Sequence, residues 1–137
     1  MINILVVSHC GLTVELIKTA EVIAGKQDNL YSVQKTIDDE NLFSLQQKIL
    51  DTLKKINTEQ GTLILTDMLG GTPCNASLPL CKDFKVEVLT GVNLPMLLSA
   101  IFASKICPTV KELAAKVLED GKKSIVNAKE LFLERLK

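Results

Sequence analysis

The sequence has few of the marks by which cofactor-dependent proteins are known. Its 137 residues include no G-x-x-x-x-G-K-[ST] loop for a nucleoside triphosphate, no G-x-G-x-x-G fingerprint and no carboxylate cluster suited to magnesium. No cofactor and no bound metal are therefore expected. Sixteen Lys and Arg residues balance sixteen Asp and Glu residues, so no broad field favours a polyanion, and nucleic acid is not an expected partner. Cys10, Cys74, Cys81 and Cys107 show no C-x-x-C spacing and read as free thiols. No apolar run approaches the roughly 18 residues needed to cross a bilayer, and the opening MINILVV lacks a basic leader, which points to the cytoplasm. With no internal repeat, low-complexity tract or linker, residues 1–137 are expected to form a single domain.

What is present is an alternation of two patterns. Residues 2–7, 30–35, 62–66 and 84–89 are short runs rich in β-branched or aromatic residues, which predicts four strands. The first and third are apolar almost throughout, as in strands covered on both faces. The second and fourth alternate with polar residues, as nearer an edge. Between them, Leu12, Leu16, Ile17, Ala20 and Ile23 recur at helical spacing ahead of Gly25, and Leu42, Leu45, Ile49, Leu53 and Ile56 do so behind Asn41, a helix-capping residue. Thr72–Pro73 reads as N-cap and first position of a third helix, Pro95 opens a fourth, and Thr109 with Glu112 forms a capping box for a fifth. Residues 124–126 are compatible with either an extended strand or the approach to a last helix from about Asn127.

Strands and helices in strict alternation imply right-handed crossovers, hence a doubly wound α/β domain whose four parallel strands run in the order 2-1-3-4. Ligands of such sheets gather at the carboxyl ends of the strands where the order reverses, between the first and third. The only histidine in the chain, His9, follows the first strand, and Asp67 ends the third. A carboxylate beside an imidazole fixes one ring nitrogen by hydrogen bonding and leaves the other facing outward as a nucleophile. The helix start after Gly11, the pair Gly70 and Gly71, and the Thr72 hydroxyl at another helix start are features that suit an anion such as a phosphoryl group. With no nucleotide site in the chain, that group must come from another protein.

The segments SH at 8–9, LIKTAEVIAG at 16–25, TDMLGGTPCNAS at 66–77 and GVNLPMLLSA at 91–100 resemble the mannose-family EIIA domains of the bacterial phosphoenolpyruvate-dependent sugar phosphotransferase system. The resemblance implies that His9 accepts phosphate from the phosphocarrier protein HPr and passes it to an EIIB domain, in association with membrane EIIC and EIID subunits. It implies that Asp67 orients and charge-balances His9, while Gly71, Thr72 and nearby amides hold phosphoryl oxygens. It also implies a homodimer in which a C-terminal strand, here near Ser124–Val126, adds antiparallel to the neighbouring sheet. This sequence departs from the family in two places: Cys10 stands where glycine usually follows the histidine, and TIDDEN replaces a frequent Pro-Gly turn. No Pro/Ala-rich linker ends the chain, so EIIB is expected as a separate polypeptide.

Three alternatives remain at this point. A metal or redox module would use His9, Cys10, Asp67 and Cys74. The phosphocarrier subunit of dihydroxyacetone kinase also has a strand ending in Ser-His, against which the GGTP and GVNLPM blocks argue. A non-transporting relative would be phosphorylated only as a signal.

Overall fold

A computed structural model describes residues 1–39 and 41–137. Its central strands are β1 (Asn3–His9) and β3 (Thr62–Thr66), flanked by β2 (Leu30–Lys35) and β4 (Val86–Leu89) in a four-stranded sheet of order β2-β1-β3-β4. All three pairings are parallel, with Ile4 opposite both Leu30 and Leu63 and with Ile64 opposite Val88. The 2-1-3-4 order expected from the alternation is the one observed.

The period of two along β1 decides what covers each face. Ile2, Ile4 and Val6, with Leu63 and Leu65, pack against α1 (Leu12–Ala24), α4 (Leu94–Ala103) and α5 (Val110–Lys123). Leu5, Val7 and Ile64 point the other way, toward α2 (Leu42–Ile56), α3 (Thr72–Ser77) and a short 3-10 helix at Leu78–Lys82. Of the fifteen residues of α2, only Leu45, Ile49 and Leu53 are buried. At about 2 kcal/mol for each fully buried side chain, these three suffice to dock an otherwise polar helix. Among the described residues no helix is long and apolar enough to cross a membrane.

Most helix ends fall where their capping residues stand. Asn41, Asn93 and Thr109 each accept a backbone N–H three residues on, from Ser44, Met96 and Glu112 respectively. Two expectations need correction. Thr72 lies inside α3 and Gly71 is its N-cap, because Gly71 is the last residue with extended backbone. On α1, Ile23 is exposed and Thr13 is buried, so a polar residue completes the inward stripe. Residues 124–126, compatible in the sequence with a strand or with the approach to a last helix, form no strand within the single chain: α5 ends at Lys123, and α6 (Ala128–Arg135) begins after Asn127. A strand exists only where its backbone is paired, and among the described residues none pairs with this segment. Nothing in α6 is buried, and Ile125, Val126 and Phe132 are exposed.

Candidate active site

β1 runs two residues further than its apolar stretch, so that His9 is its last residue, opposite Lys35 of β2. On the other side Val7 is opposite Thr66, the last residue of β3, and Asp67 follows immediately. Parallel register thus brings residues 58 positions apart to one point on the sheet's rim. Asp67 Oδ2 accepts from the His9 backbone N–H at 3.0 Å and lies 2.6 Å from His9 Nδ1. Asp67 Oδ1 accepts from the Met68 N–H at 3.0 Å. The carboxylate is anchored at both oxygens. Its side chain is 12% exposed, that of His9 40%.

Burial disfavours the charged form of Asp67, but the His9 backbone N–H, the imidazole hydrogen bond and its charge, and the backbone N–H of Asp67 itself together outweigh it. The carboxyl is held below its ordinary value. An ionised Asp67 binds the tautomer with hydrogen on Nδ1. That leaves Nε2 as the ring atom with a lone pair, and among the described residues it has no hydrogen-bond partner.

The chain leaves β1 through Cys10, which adopts φ +52°, the left-handed region in which glycine is usual. Gly11, the N-cap of α1, has an ordinary φ of −76°. Thus the glycine displaced by one position does not relieve the turn, and cysteine carries the unfavourable conformation. The Cys10 N–H donates to the Lys35 carbonyl at 2.8 Å, fixing the turn to β2. No side chain caps α1, so its first amides are open toward the rim.

Gly71 closes the site from the β3 side. A β-carbon at that position would stand 3.1 Å from His9 Cε1 and 3.1 Å from Met68 Cγ, so only glycine leaves the ring its place without displacement. The Gly71 N–H points to the Met68 carbonyl at 3.4 Å. Thr72 follows, half-buried, its hydroxyl free of hydrogen bonds among the described residues. Of the residues singled out in the sequence, Asp67 and Gly71 stand beside the His9 ring, and Thr72 follows Gly71 in the chain. The sequence pattern did not identify Ser8 and Thr13, both buried, whose hydroxyls bond to each other across the turn holding His9. The polar Thr13 on an apolar stripe was the available signal.

In the TIDDEN segment, of which Glu40 lies outside the described residues, Thr36 and Asp39 make contacts of their own. Asp39, buried, accepts from the Thr36 backbone N–H and from Lys48 Nζ, each at 2.8 Å. Burial opposes its charge, and these contacts prevail, lowering its pKa. Ile37 is left almost fully exposed on the same rim. Among the described residues no three His, Cys, Asp or Glu side chains gather closely enough to hold a metal ion, so the set His9, Cys10, Asp67 and Cys74 does not assemble. Cys74 is buried and Cys10 exposed.

A family model described as EIIA-man, the PTS system fructose IIA component, matches residues 3–118. The mannose-specific EIIAB component of Escherichia coli (strain K12) is 34% identical over 125 residues, covering 90% of this chain and 38% of that protein. The fructose-specific EIIA component of Bacillus subtilis (strain 168) is 33% identical over 102 residues, covering 74% of this chain and 69% of that protein. The chain thus spans about two fifths of the length of the E. coli relative. Among solved structures, the phosphotransferase system component EIIA from Streptococcus agalactiae superposes with a TM-score of 0.84 at 28% identity, over 95% of this chain and 99% of that one. The mannose/sorbose specific IIA subunit from Enterococcus faecalis gives 0.83 at 28% identity, over 92% and 93%.

Proposed function

The chain belongs to the EIIA-man family, and from that premise we propose that it is the phosphocarrier EIIA of a sugar phosphotransferase system in which His9 takes a phosphoryl group from phospho-HPr and gives it to EIIB. The observation that carries this reading is the 2.6 Å contact between His9 Nδ1 and Asp67 Oδ2, which dedicates Nε2 to chemistry. The Nε2 lone pair attacks the phosphorus of the donor's phosphohistidine. The donor's P–N bond breaks, and its electron pair returns to the donor imidazole as the Nε2–P bond forms. The Nδ1 hydrogen stays on His9, whose ring becomes cationic, and ionised Asp67 balances that charge. Transfer to EIIB repeats the displacement with His9 as leaving group.

Phosphoryl transfer of this kind asks mainly for in-line positioning and for donors to the spread negative charge. The open amides at the start of α1 and the Thr72 hydroxyl are suited to hold the phosphoryl oxygens, and Gly71 supplies the space beside the ring. On this reading residues 1–137 act as a single domain in the cytoplasm. It associates with EIIC and EIID only through EIIB. The domain forms a homodimer through residues beyond Ser124, whose exposed Ile125 and Val126 suit a strand added to a neighbouring sheet. Relatives of 33–36% identity are named for mannose, fructose and sorbose, in keeping with a domain that never touches the sugar.

The experiment is to incubate the protein with phosphoenolpyruvate, enzyme I and HPr and to look for an acid-labile phosphoryl mass on the peptide containing His9. Label on that peptide, absent from His9→Ala, is the expected result. No label, or label that survives the substitution, refutes the proposal.

A further inference from the structure

His9 sits between two buried hydroxyls. Ser8, the residue before it on β1, and Thr13, the second residue of α1, are both fully buried, and Ser8 Oγ and Thr13 Oγ1 hydrogen-bond to each other. Between them lie His9, Cys10 at φ +52° and the uncapped helix start at Gly11. We infer that this hydroxyl pair is the positioning device of the phosphoryl site: it holds the left-handed turn so that the backbone and ring of His9 both address Asp67.

A left-handed non-glycine residue costs about 1–2 kcal/mol. Such a residue persists where its surroundings fix the conformation. Two sets of contacts surround Cys10. Its own N–H is bonded to Lys35 on β2, while the Ser8–Thr13 bond ties the strand end to the first turn of α1. The second tie is needed because α1 has no side-chain cap of its own to anchor its start. An aliphatic pair would fill the same space without direction. A hydrogen bond between two buried hydroxyls fixes the two oxygens against each other whichever one donates, and breaking it leaves a buried polar group unsatisfied. The direction matters here because Asp67 Oδ2 meets both the His9 N–H and Nδ1. A turn that rotates the peptide N–H away also turns the ring, and Nε2 then loses its in-line approach. Ser8 and Thr13 are positioning residues, acting through the backbone of His9.

This inference rests on the proposed phosphoryl transfer for its kinetic readout, and its spectroscopic readout does not. The variants are Thr13→Val, which keeps the shape and removes the hydroxyl, Thr13→Ser, which keeps the hydroxyl, and Ser8→Ala. Folding of each is checked by urea denaturation. For Thr13→Val the expected result is phosphoryl uptake from phospho-HPr slowed about tenfold at saturating donor, with KM changed less than about twofold, and Thr13→Ser restored to within about threefold of wild type. In the unphosphorylated protein, the nitrogen chemical shifts of the His9 ring in Thr13→Val move toward a mixture of tautomers, and in Thr13→Ser they do not. Ser8→Ala behaves like Thr13→Val. The inference is overturned if Thr13→Val keeps the wild-type rate and ring shifts, or if Thr13→Ser is as slow as Thr13→Val, which shows that keeping the hydroxyl does not keep the site. A wild-type protein that takes no label defeats the proposed function instead, and the ring shifts still decide the role of the hydroxyl pair.

Discussion

One oxygen of Asp67 serves His9 twice, accepting the backbone N–H at 3.0 Å and lying 2.6 Å from the ring Nδ1. The carboxylate therefore orients the peptide and the imidazole together, and its ionisation is linked to both. The folded state holds its pKa below the unfolded value near about 3.9, so its contribution to stability is present above that value and is lost as pH falls through the lower, folded pKa. Asp67→Asn is expected to be less stable than wild type by about 1–2 kcal/mol at pH 7, a modest figure because His9 is half-exposed. The difference is expected to shrink as pH is lowered below about 4. Urea denaturation of both proteins from pH 7 to pH 3 measures it. A gap that is the same at every pH would show that ionisation plays no part.

Gly71 and His9 share one space. Gly71→Ala would place a methyl 3.1 Å from His9 Cε1, tighter than ordinary packing, and the ring is the neighbour with room to move. Phosphoryl uptake is expected to fall about tenfold while the unfolding midpoint stays near that of wild type. Uptake at the wild-type rate would mean that the ring tolerates the methyl and that glycine at 71 has no role in placing it.

Cys10 occupies a conformation made for glycine. Cys10→Gly is expected to raise stability by about 1 kcal/mol, because relief of the left-handed strain exceeds the entropy added to the unfolded chain. Equilibrium urea denaturation gives the value. A variant equal to or weaker than wild type would indicate that the thiol makes a stabilising contact which offsets the strain.

The segment after α5 contributes nothing buried through α6, yet carries exposed Ile125, Val126 and Phe132. Removal of residues 125–137 is expected to leave the unfolding of the remaining domain cooperative and to turn a dimer into a monomer by light scattering. A truncated chain that stays dimeric would move the interface elsewhere.

Much of this fold is legible in the sequence because its parts report locally. The apolar runs of β1 and β3 give their burial on both faces, and Asn41, Asn93 and Thr109 mark helix starts through side chains that bond their own backbone. His9 and Asp67 are legible together only through topology, since strand order places two strand ends side by side. What escaped depends on tertiary context. Thr13 is polar and reads as surface until Ser8 is seen to need it. Ile23 fits the helical stripe and is exposed because Ala24, four residues after buried Ala20, takes the inward position in the last turn of α1 and packs against the core. Thr72 and Gly71 both suit an N-cap, and only the backbone angles separate them. Residues 124–126 have strand propensity without a strand to join in the single chain.

The most direct test of the central claim asks which nitrogen bears the phosphoryl group. With the His9 ring labelled by nitrogen-15 and the protein phosphorylated through HPr, one-bond coupling between phosphorus and nitrogen identifies the atom. The 2.6 Å contact of Nδ1 with Asp67 predicts coupling at Nε2 alone. Coupling at Nδ1 would contradict the account, because the nitrogen assigned to Asp67 would then be the nucleophile.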